Sequence, residues 1–515
     1  MYVTQILHRG LRHNPDRPAT VFGERIRTVA ESVDRIARLA GALSDLGAVA
    51  GDRIAILALN SDRYHEYLLA VPWLGAVVNP VNIRWSAAEI AYSLRESGTR
   101  ILLVDDAFAA VVPTLREQLP ELGPVLFCGD GERPADLLDY ETLVAGTSPI
   151  EDTRTGGDAL LGVFYTGGTT GHPKGVMLSH DNLMTSALGV LADGAGPSAG
   201  GQLLHAAPMF HLADIANWCM GNLVGATHVM VPAFTPAGVL EAIATHRVTD
   251  TLLVPTMVQM LIDESSVGDY DLGGVRHVLY GASPIAESVL ERARATFPNA
   301  GFTQAYGMTE LAPVATLLSA ADHQDSALRR AAGRAAPHCE VRVVDPDDNE
   351  VPAGTVGEVV VRGDNVMLGY WNRPEDTAVA LRGGWMHTGD GGYMDSRGYV
   401  FIVDRIKDMI ITGGENVYSA EVENALIAHP SVAAAAVIGV PDPQWGERVH
   451  AVVVPHPGET VTEAELRAHC KALIAGYKVP RSAEFVAALP MSGAGKVLKR
   501  ELREPHWNHS DHGVA

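Results

Sequence analysis

A chain of 515 residues, 47% hydrophobic and 19% charged, has the makeup of a globular protein of several domains at about 100–200 residues each. Its 39 Lys and Arg against 61 Asp and Glu leave a net charge of −22, which argues against a nucleic-acid binder, since such proteins grip phosphate with clustered basic groups. Cys128, Cys219, Cys339 and Cys470 lie far apart without C-x-x-C spacing, which speaks against a disulfide framework or a sulfur-ligated zinc centre and fits a reduced, cytoplasmic setting.

Residues 1–20 carry Arg9, Arg12, Asp16 and Arg17 and lack an apolar segment with a cleavage site, so no secretory signal is expected. No run of about 18 uncharged apolar residues is present, so no transmembrane helix is expected either. Residues 33–46 show helical periodicity ending near Gly47. Residues 53–58 read as a buried strand, 64–74 as a helix, and 75–80 and 101–105 as strands. Short apolar strands between helices predict parallel α/β sheets. Residues 163–165 are strand-like and run into Thr166-Gly-Gly-Thr-Thr-Gly-His-Pro-Lys-Gly175. Glycines let several N–H groups turn toward one anion, the threonines add donors, and Lys174 supplies charge for terminal phosphates. The loop is not a Walker A motif, because Pro173 precedes the lysine and Gly175 follows it.

Further along comes Pro208-Met-Phe-His-Leu212. If a helix follows, His211, Asp214 or Ile215, and Trp218 share one face. That face would line a substrate pocket floored by Trp218; packing of Trp218 in the core is the open alternative. Gly281-Ala-Ser-Pro284 and Ala305-Tyr-Gly-Met-Thr-Glu310 follow, then a predicted hairpin over 341–361 that opens a β subdomain. Trp385-Met-His-Thr-Gly-Asp390 precedes the strand 399–403 with Asp404 and Arg405 at its end. Beyond residue 405 the pattern becomes a compact α+β unit: helix 419–429, strands 432–438 and 450–454, helix 462–474. The chain ends with Leu489-Pro-Met-Ser-Gly-Ala-Gly-Lys-Val-Leu-Lys-Arg500, where Lys499 and Arg500 read as solvated helix charges. His506, His509 and His512 form a tail able to bind metal weakly, and a frayed terminus is the favoured reading.

Together these motifs resemble, in order and over nearly the whole chain, the adenylate-forming superfamily: acyl- and aryl-CoA synthetases, beetle luciferases and nonribosomal-peptide adenylation domains. The likeness is greatest to a stand-alone fatty-acid or aryl-acid CoA ligase. The resemblance implies an α/β fold with a large N-terminal domain of sheets plus a β subdomain over 1–405, hinged to a small α+β domain over 406–515. It implies ATP, Mg2+ and CoA as cosubstrates and metal. Thr166, Gly167, Gly168, Thr169, Thr170 and Lys174 would grip pyrophosphate; Gly167 stands where the family usually has serine, which removes one hydroxyl donor and leaves the backbone donors. Tyr306, flanked by Ala305 and Gly307, would stack on adenine, with Gly281, Ala282 and Ser283 against the other face, where the family has Gly-Gly-Ala-Pro. Thr309 would bond the α-phosphate and Glu310 would ligate Mg2+. Asp390 would accept the ribose hydroxyls, with Arg405 beside it.

The resemblance places His211 and its neighbours on the carboxylate side of the acyl pocket. Lys496 would bridge the attacking carboxylate and the α-phosphate, two anions that must meet in the transition state. Lys407 would be the hinge between an adenylating and a thioester-forming arrangement. Gly413, Gly414 and Glu415 would line the pantetheine tunnel, and Trp445 and Tyr477 would flank the CoA adenine, with Val479 where at least one relative has arginine. The expected reaction is ligation of a medium- or long-chain fatty acid to CoA with release of AMP and pyrophosphate. An aryl acid of the cinnamate or ferulate type, and loading of a carrier protein, are the alternatives. Apolar Ala312, Val314, Leu317 and Leu318 suit any apolar acid. Expected partners are small molecules, with no nucleic acid; a homodimer is compatible with the sequence.

Overall fold

The structure, a computed structural model, describes residues 1–166, 173–283, 285–413, 415–491 and 497–507, with the side chains of Lys407 and Asn416 set aside. Contacts divide the chain into two units: one holds the chain up to 341 together with 360–387, the other holds 342–359 and the chain from 388 onward.

Two large sheets build the first unit. One has eight strands among the described residues, in the order Gly369–Tyr370, Lys174–Ser179, Leu160–Thr166, Val77–Pro80, Arg53–Leu57, Ile101–Val104, Val125–Phe127, Leu138–Asp139. Its central members are apolar runs buried along nearly their whole length, without alternation, as parallel strands covered on both faces must be. Register is parallel, with Ile54 opposite both Val78 and Ile101. Leu57, Leu94, Val104, Leu115 and Phe127 form part of one core on this sheet. The second sheet has nine strands among the described residues and includes Gln202–His205, Thr227–Met230, Asp250–Leu253, His277–Gly281, Gly301–Gly307 and Val314–Leu318. The first long helix is Val29–Asp45, four residues earlier than its apolar periodicity suggests. Thr28 and Glu31 close a capping box there, and that reciprocal pair of hydrogen bonds sets the start.

The hairpin expected over 341–361 is present as Cys339–Val344 and Gly357–Gly363, neighbours in a four-stranded sheet with Met386–Met394 and Val400–Arg405. In the second unit a further sheet carries Ile410–Thr412, Glu415–Val417, Val432–Asp442, Gly446–Pro455 and Ser482–Phe485. Helices Ser419–Ile427 and Glu463–Leu473 bury Val422, Leu426, Leu466 and Cys470 in the same core as Val437, Val449 and Val453 of this sheet. The two long strands exceed their predicted lengths, because their antiparallel ladder runs on from Val432 opposite Pro455 to Asp442 opposite Gly446. The chain is thus α/β with a smaller α+β part, as its sequence pattern implies. Among the described residues no helix is long and apolar enough to cross a membrane.

Candidate active site

The glycine-rich loop is the connection of a hairpin. Thr166, at the end of Leu160–Thr166, lies opposite Lys174, at the start of Lys174–Ser179, so strand pairing fixes both at the loop's base. Gly167, Gly168, Thr169 and Thr170 lie outside the described residues. Ser179 then caps helix His180–Ala192 through a capping box with Asn182.

Two of the predicted nucleotide segments sit side by side at the C-terminal ends of neighbouring parallel strands, where ligands of open α/β sheets bind. Gly281 is paired with Ala305. A Cβ on Gly281 would come within 2.3 Å of the Ala305 carbonyl oxygen, so only glycine permits this approach. The chain then turns through Ala282 at φ +68°, a left-handed conformation ordinarily given to glycine, into exposed Ser283. Tyr306 and Gly307 complete the adjacent strand Gly301–Gly307, and Thr309 opens the short turn Thr309–Leu311.

Glu310 is buried and accepts a 2.9 Å hydrogen bond at Oε1 from the Tyr370 hydroxyl. The face of the same Tyr370 ring lies under Lys174, whose Nζ is 5.0 Å from the ring centroid. Lys174 also donates to Asp376 Oδ1 at 2.9 Å. One tyrosine therefore links the predicted phosphate cation to the predicted metal carboxylate. Neither Tyr370 nor Asp376 was singled out from sequence. They stand 196 and 202 positions from Lys174, and nothing local marks either.

In the second unit, Asp390 and Arg405 are cross-strand partners, and Arg405 Nε lies 2.7 Å from Asp390 Oδ1. Asp390 is buried and Arg405 partly exposed, so the pair presents a carboxylate whose orientation a guanidinium fixes. Asp404 instead serves helix Ser419–Ile427, accepting from the Ser419 hydroxyl at 2.6 Å. Lys407 has its backbone in the 3-10 turn Ile406–Asp408. Gly413, at φ +62°, donates its N–H to the Trp445 carbonyl at 2.8 Å, and a Cβ there would meet the indole at 2.7 Å. Glu415 is exposed, Tyr477 is 40% exposed, and the Arg481 guanidinium lies 4.6 Å from the Trp445 ring centroid. Gly414 and Lys496 lie outside the described residues. The reading of Lys499 as a solvated charge is corrected: Lys499 is largely buried and pairs with Glu423 at 2.7 Å while donating to the Ser419 hydroxyl. Burial raises the Glu423 carboxyl and the Lys499 ammonium opposes that rise.

The predicted acyl-site helix exists as Leu212–Val224, with His211 at its N-cap and the His211 ring 4.2 Å from that of Phe210. Its polar groups turn inward to protein partners. Asp214 Oδ2 and His205 Nδ1 are 2.8 Å apart, and His205 Nε2 lies 2.9 Å from His228 Nδ1. Trp218 is 1% exposed and donates to His65 Nδ1 at 2.9 Å, the core alternative for this residue. Burial above all, with His205 nearby, pushes His65 down to about 3, and His228 falls well below its ordinary value for the same reason. Ile215 is likewise buried.

Residues 7–371 match the family model described as AMP-binding enzyme, and residues 421–496 match that of the AMP-binding enzyme C-terminal domain. Feruloyl-CoA synthases of an Amycolatopsis and a Streptomyces species are each 41% identical over 500 residues, covering 96% of this chain and 97% of theirs. A long-chain-fatty-acid–CoA ligase of Mycobacterium tuberculosis is 36% identical over 472 residues, 91% of each chain. Among solved structures, o-succinylbenzoate CoA synthetase from Bacillus subtilis with its acyl-adenylate superposes with a TM-score of 0.86 at 30% identity over 99% of both chains.

Proposed function

The chain belongs to the AMP-binding enzyme family and is an AMP-forming acid–CoA ligase that works through an acyl-adenylate, with ATP, Mg2+ and CoA; we propose how its residues divide that work and which acid it takes. The observation that carries the assignment of residues is the junction at Tyr370. A lysine suited to phosphate and a carboxylate suited to a hard cation are held on two parts of one side chain. Lys174 exchanges Asp376 for the β- and γ-phosphates when ATP enters. Glu310, a buried hard-oxygen donor, would hold Mg2+, which when bound neutralises phosphate charge. Thr309 bonds the α-phosphate, and Thr166 to Thr170 surround the pyrophosphate. Tyr306 and the segment Gly281–Ser283 sandwich the adenine, the missing side chain at Gly281 letting its strand close on the Ala305 carbonyl beside Tyr306. Asp390, steered by Arg405, accepts the ribose hydroxyls.

Lys496 joins the acid carboxylate to the α-phosphate and disperses the charge of attack. His211 faces the acid carboxylate. After adenylation, Lys407 is the pivot that exchanges Lys496 for the Gly413–Glu415 segment, with Gly414 at its centre, and Trp445 and Tyr477 contact CoA. The division of labour follows residues 1–405 and 406–515. Lys496→Ala is expected to lose ~10²–10³ in adenylate formation and to keep the thioester step from supplied acyl-adenylate. Equal loss in both half-reactions would remove this role.

For the acid we propose an aryl propenoate of the ferulate type. The support is the 41% identity to feruloyl-CoA synthases over almost the whole chain, against 36% for the mycobacterial fatty-acid ligase. A medium- or long-chain fatty acid is the second reading, favoured by the buried run Val314–Leu318 beside Ala312. A fatty acid–acyl-carrier-protein ligase of Streptomyces coeruleorubidus, 37% identical, keeps a carrier protein as the third acceptor test. Incubation with ATP, Mg2+ and an acid panel, offering CoA or a carrier protein as thiol and reading AMP release, separates the three. Ferulate turnover below that of every fatty acid would overturn the first. Placement in the cytoplasm, consistent with four unpaired cysteines, and a homodimer complete the proposal; light scattering tests the dimer.

A further inference from the structure

The C-terminal sheet carries a group of side chains that adenylation does not use. Strand Ser482–Phe485 runs parallel to Gly446–Pro455, with His450 opposite Ser482 and Val452 opposite Glu484. Because side chains alternate along a strand, Ser482 and Glu484 lie on one face. Helix Lys499–Trp507 brings His506 to the same place, its ring centroid 5.0 Å from that of His450. One ligand atom each from His450, His506 and Glu484 lie within 4.8 Å of one another, and His450 Nε2 is 4.0 Å from Glu484 Oε2.

His450 is the anchor. Its side chain is 7% exposed, and its Nε2 is buried without a hydrogen-bond partner. A buried polar nitrogen left so costs free energy that a ligand would recover. The other ring nitrogen, Nδ1, lies 2.7 Å from Ser482 Oγ. Donation from Nδ1–H to that oxygen fixes the ring and leaves a lone pair on Nε2, aimed at the group, which prepares the histidine for a metal.

We propose that His450, His506 and Glu484 form a binding site for a divalent transition ion of the Zn2+ type, separate from the Mg2+ held by Glu310. Two imidazoles and one carboxylate suit Zn2+, Co2+ or Ni2+ rather than Mg2+ or Ca2+, which prefer all-oxygen shells. Bonds of about 2.0–2.1 Å require the ligand atoms to approach one another more closely than they now lie. Glu484 is exposed and can rotate inward, and the remaining coordination positions go to water. The ion would tie the C-terminal helix, which starts three residues beyond Lys496, to the strands beneath it.

The full chain, stripped with chelator and free of nucleotide, is titrated with Zn2+ by calorimetry and with Co2+ by visible absorption. The expected result is one equivalent bound with a rise in the unfolding midpoint. His506→Ala and Glu484→Gln should each weaken binding at least ~10-fold, no less than losing a group that merely orients a ligand costs, and remove the midpoint rise. Their metal-free midpoints should match that of the parent. A variant with His509→Ala and His512→Ala together should bind as the parent does. Parent-like binding by His506→Ala and Glu484→Gln, or loss of binding in the double variant, would overturn the site.

Discussion

Helix Leu212–Val224 and the strand ends around 281–310 both look like sites in sequence, and they spend their polar groups in opposite ways. On the helix, Asp214 and Trp218 are bonded to other buried groups of the protein: Asp214 to the strand residue His205, which in turn meets His228, and Trp218 to His65. At the strand ends, Ser283, Tyr306 and Thr309 keep some exposure, glycine lets two backbones approach, and an alanine is held in a left-handed turn. A polar residue on a helix face is as readily a satisfied core group as a ligand contact. A segment that demands glycine and unusual dihedrals at a strand terminus is much harder to explain by packing alone.

The sharpest way to break this contrast is to cut into the helix. Trp218→Ala should cost ~3–5 kcal/mol of stability through its cavity and the orphaned His65. The order of preference across an acid panel should stay the same. A changed acid preference with an unchanged unfolding midpoint would make Trp218 a pocket wall. The same buried network predicts a pH effect. His65 has its folded value depressed from 6.5 to about 3 by burial, so its contribution is fully present above 6.5. As pH falls from 6.5 toward about 3 the unfolded chain takes up a proton that the folded chain refuses, and stability drops by up to about 1.4 kcal/mol per pH unit. His228 adds to this in the same direction. Denaturant midpoints at pH 7 and pH 5 measure it; His65→Asn should flatten the slope.

At the strand ends the expected cost falls on rate. Glu310→Gln keeps an acceptor for the Tyr370 hydroxyl but loses the charge, and adenylate formation should fall ~10²–10³ with little change in unfolding midpoint. A destabilised but active variant would place Glu310 with the helix groups as a structural residue. Tyr370→Phe is milder: the ring stays under Lys174 and only the hydroxyl is lost. A hydrogen bond to a charged acceptor is worth about 1.5 kcal/mol, so about a tenfold drop in kcat/KM for ATP is expected, with the Mg2+ requirement shifted to higher concentration. An unchanged Mg2+ dependence would reduce Tyr370 to packing.

What could be read in advance follows the same division. The family was legible because its motifs, from the loop after Thr166 to the segments holding Glu310, Asp390 and Arg405, occur in order along the chain; the work of each residue remains the proposal above. The strands at 53, 77 and 101 were legible because buried parallel strands leave an unbroken apolar run. The Lys174–Asp376 pair, the Asp214–His205–His228 chain and the Lys499–Glu423 pair were not, since each joins residues that only the tertiary fold brings together. Element ends moved where a short-range signal was overlooked, as at the Thr28 and Glu31 box, or where cross-strand pairing extended a strand to Asp442.

The smallest effect tests the strained turn itself. Ala282 at φ +68° carries a Cβ in a conformation that costs about 1–2 kcal/mol for a residue other than glycine. Ala282→Gly removes that strain but gives the unfolded chain back about 0.4–1 kcal/mol of conformational entropy. The two partly cancel, and a net gain of about 0–1.6 kcal/mol in unfolding free energy is expected, read from the denaturant midpoint at constant slope. Because Ala282 is exposed and its neighbour Gly281 already sets the approach to Ala305, KM for ATP should change by less than about twofold, less than the ~1 kcal/mol that a single lost contact costs. A KM that falls several-fold instead would mean that the alanine methyl stands in the path of the adenine. The turn would then differ from the buried helix network in one further respect: its strain would be carried at a cost to ligand binding, where the helix network costs the ligand nothing.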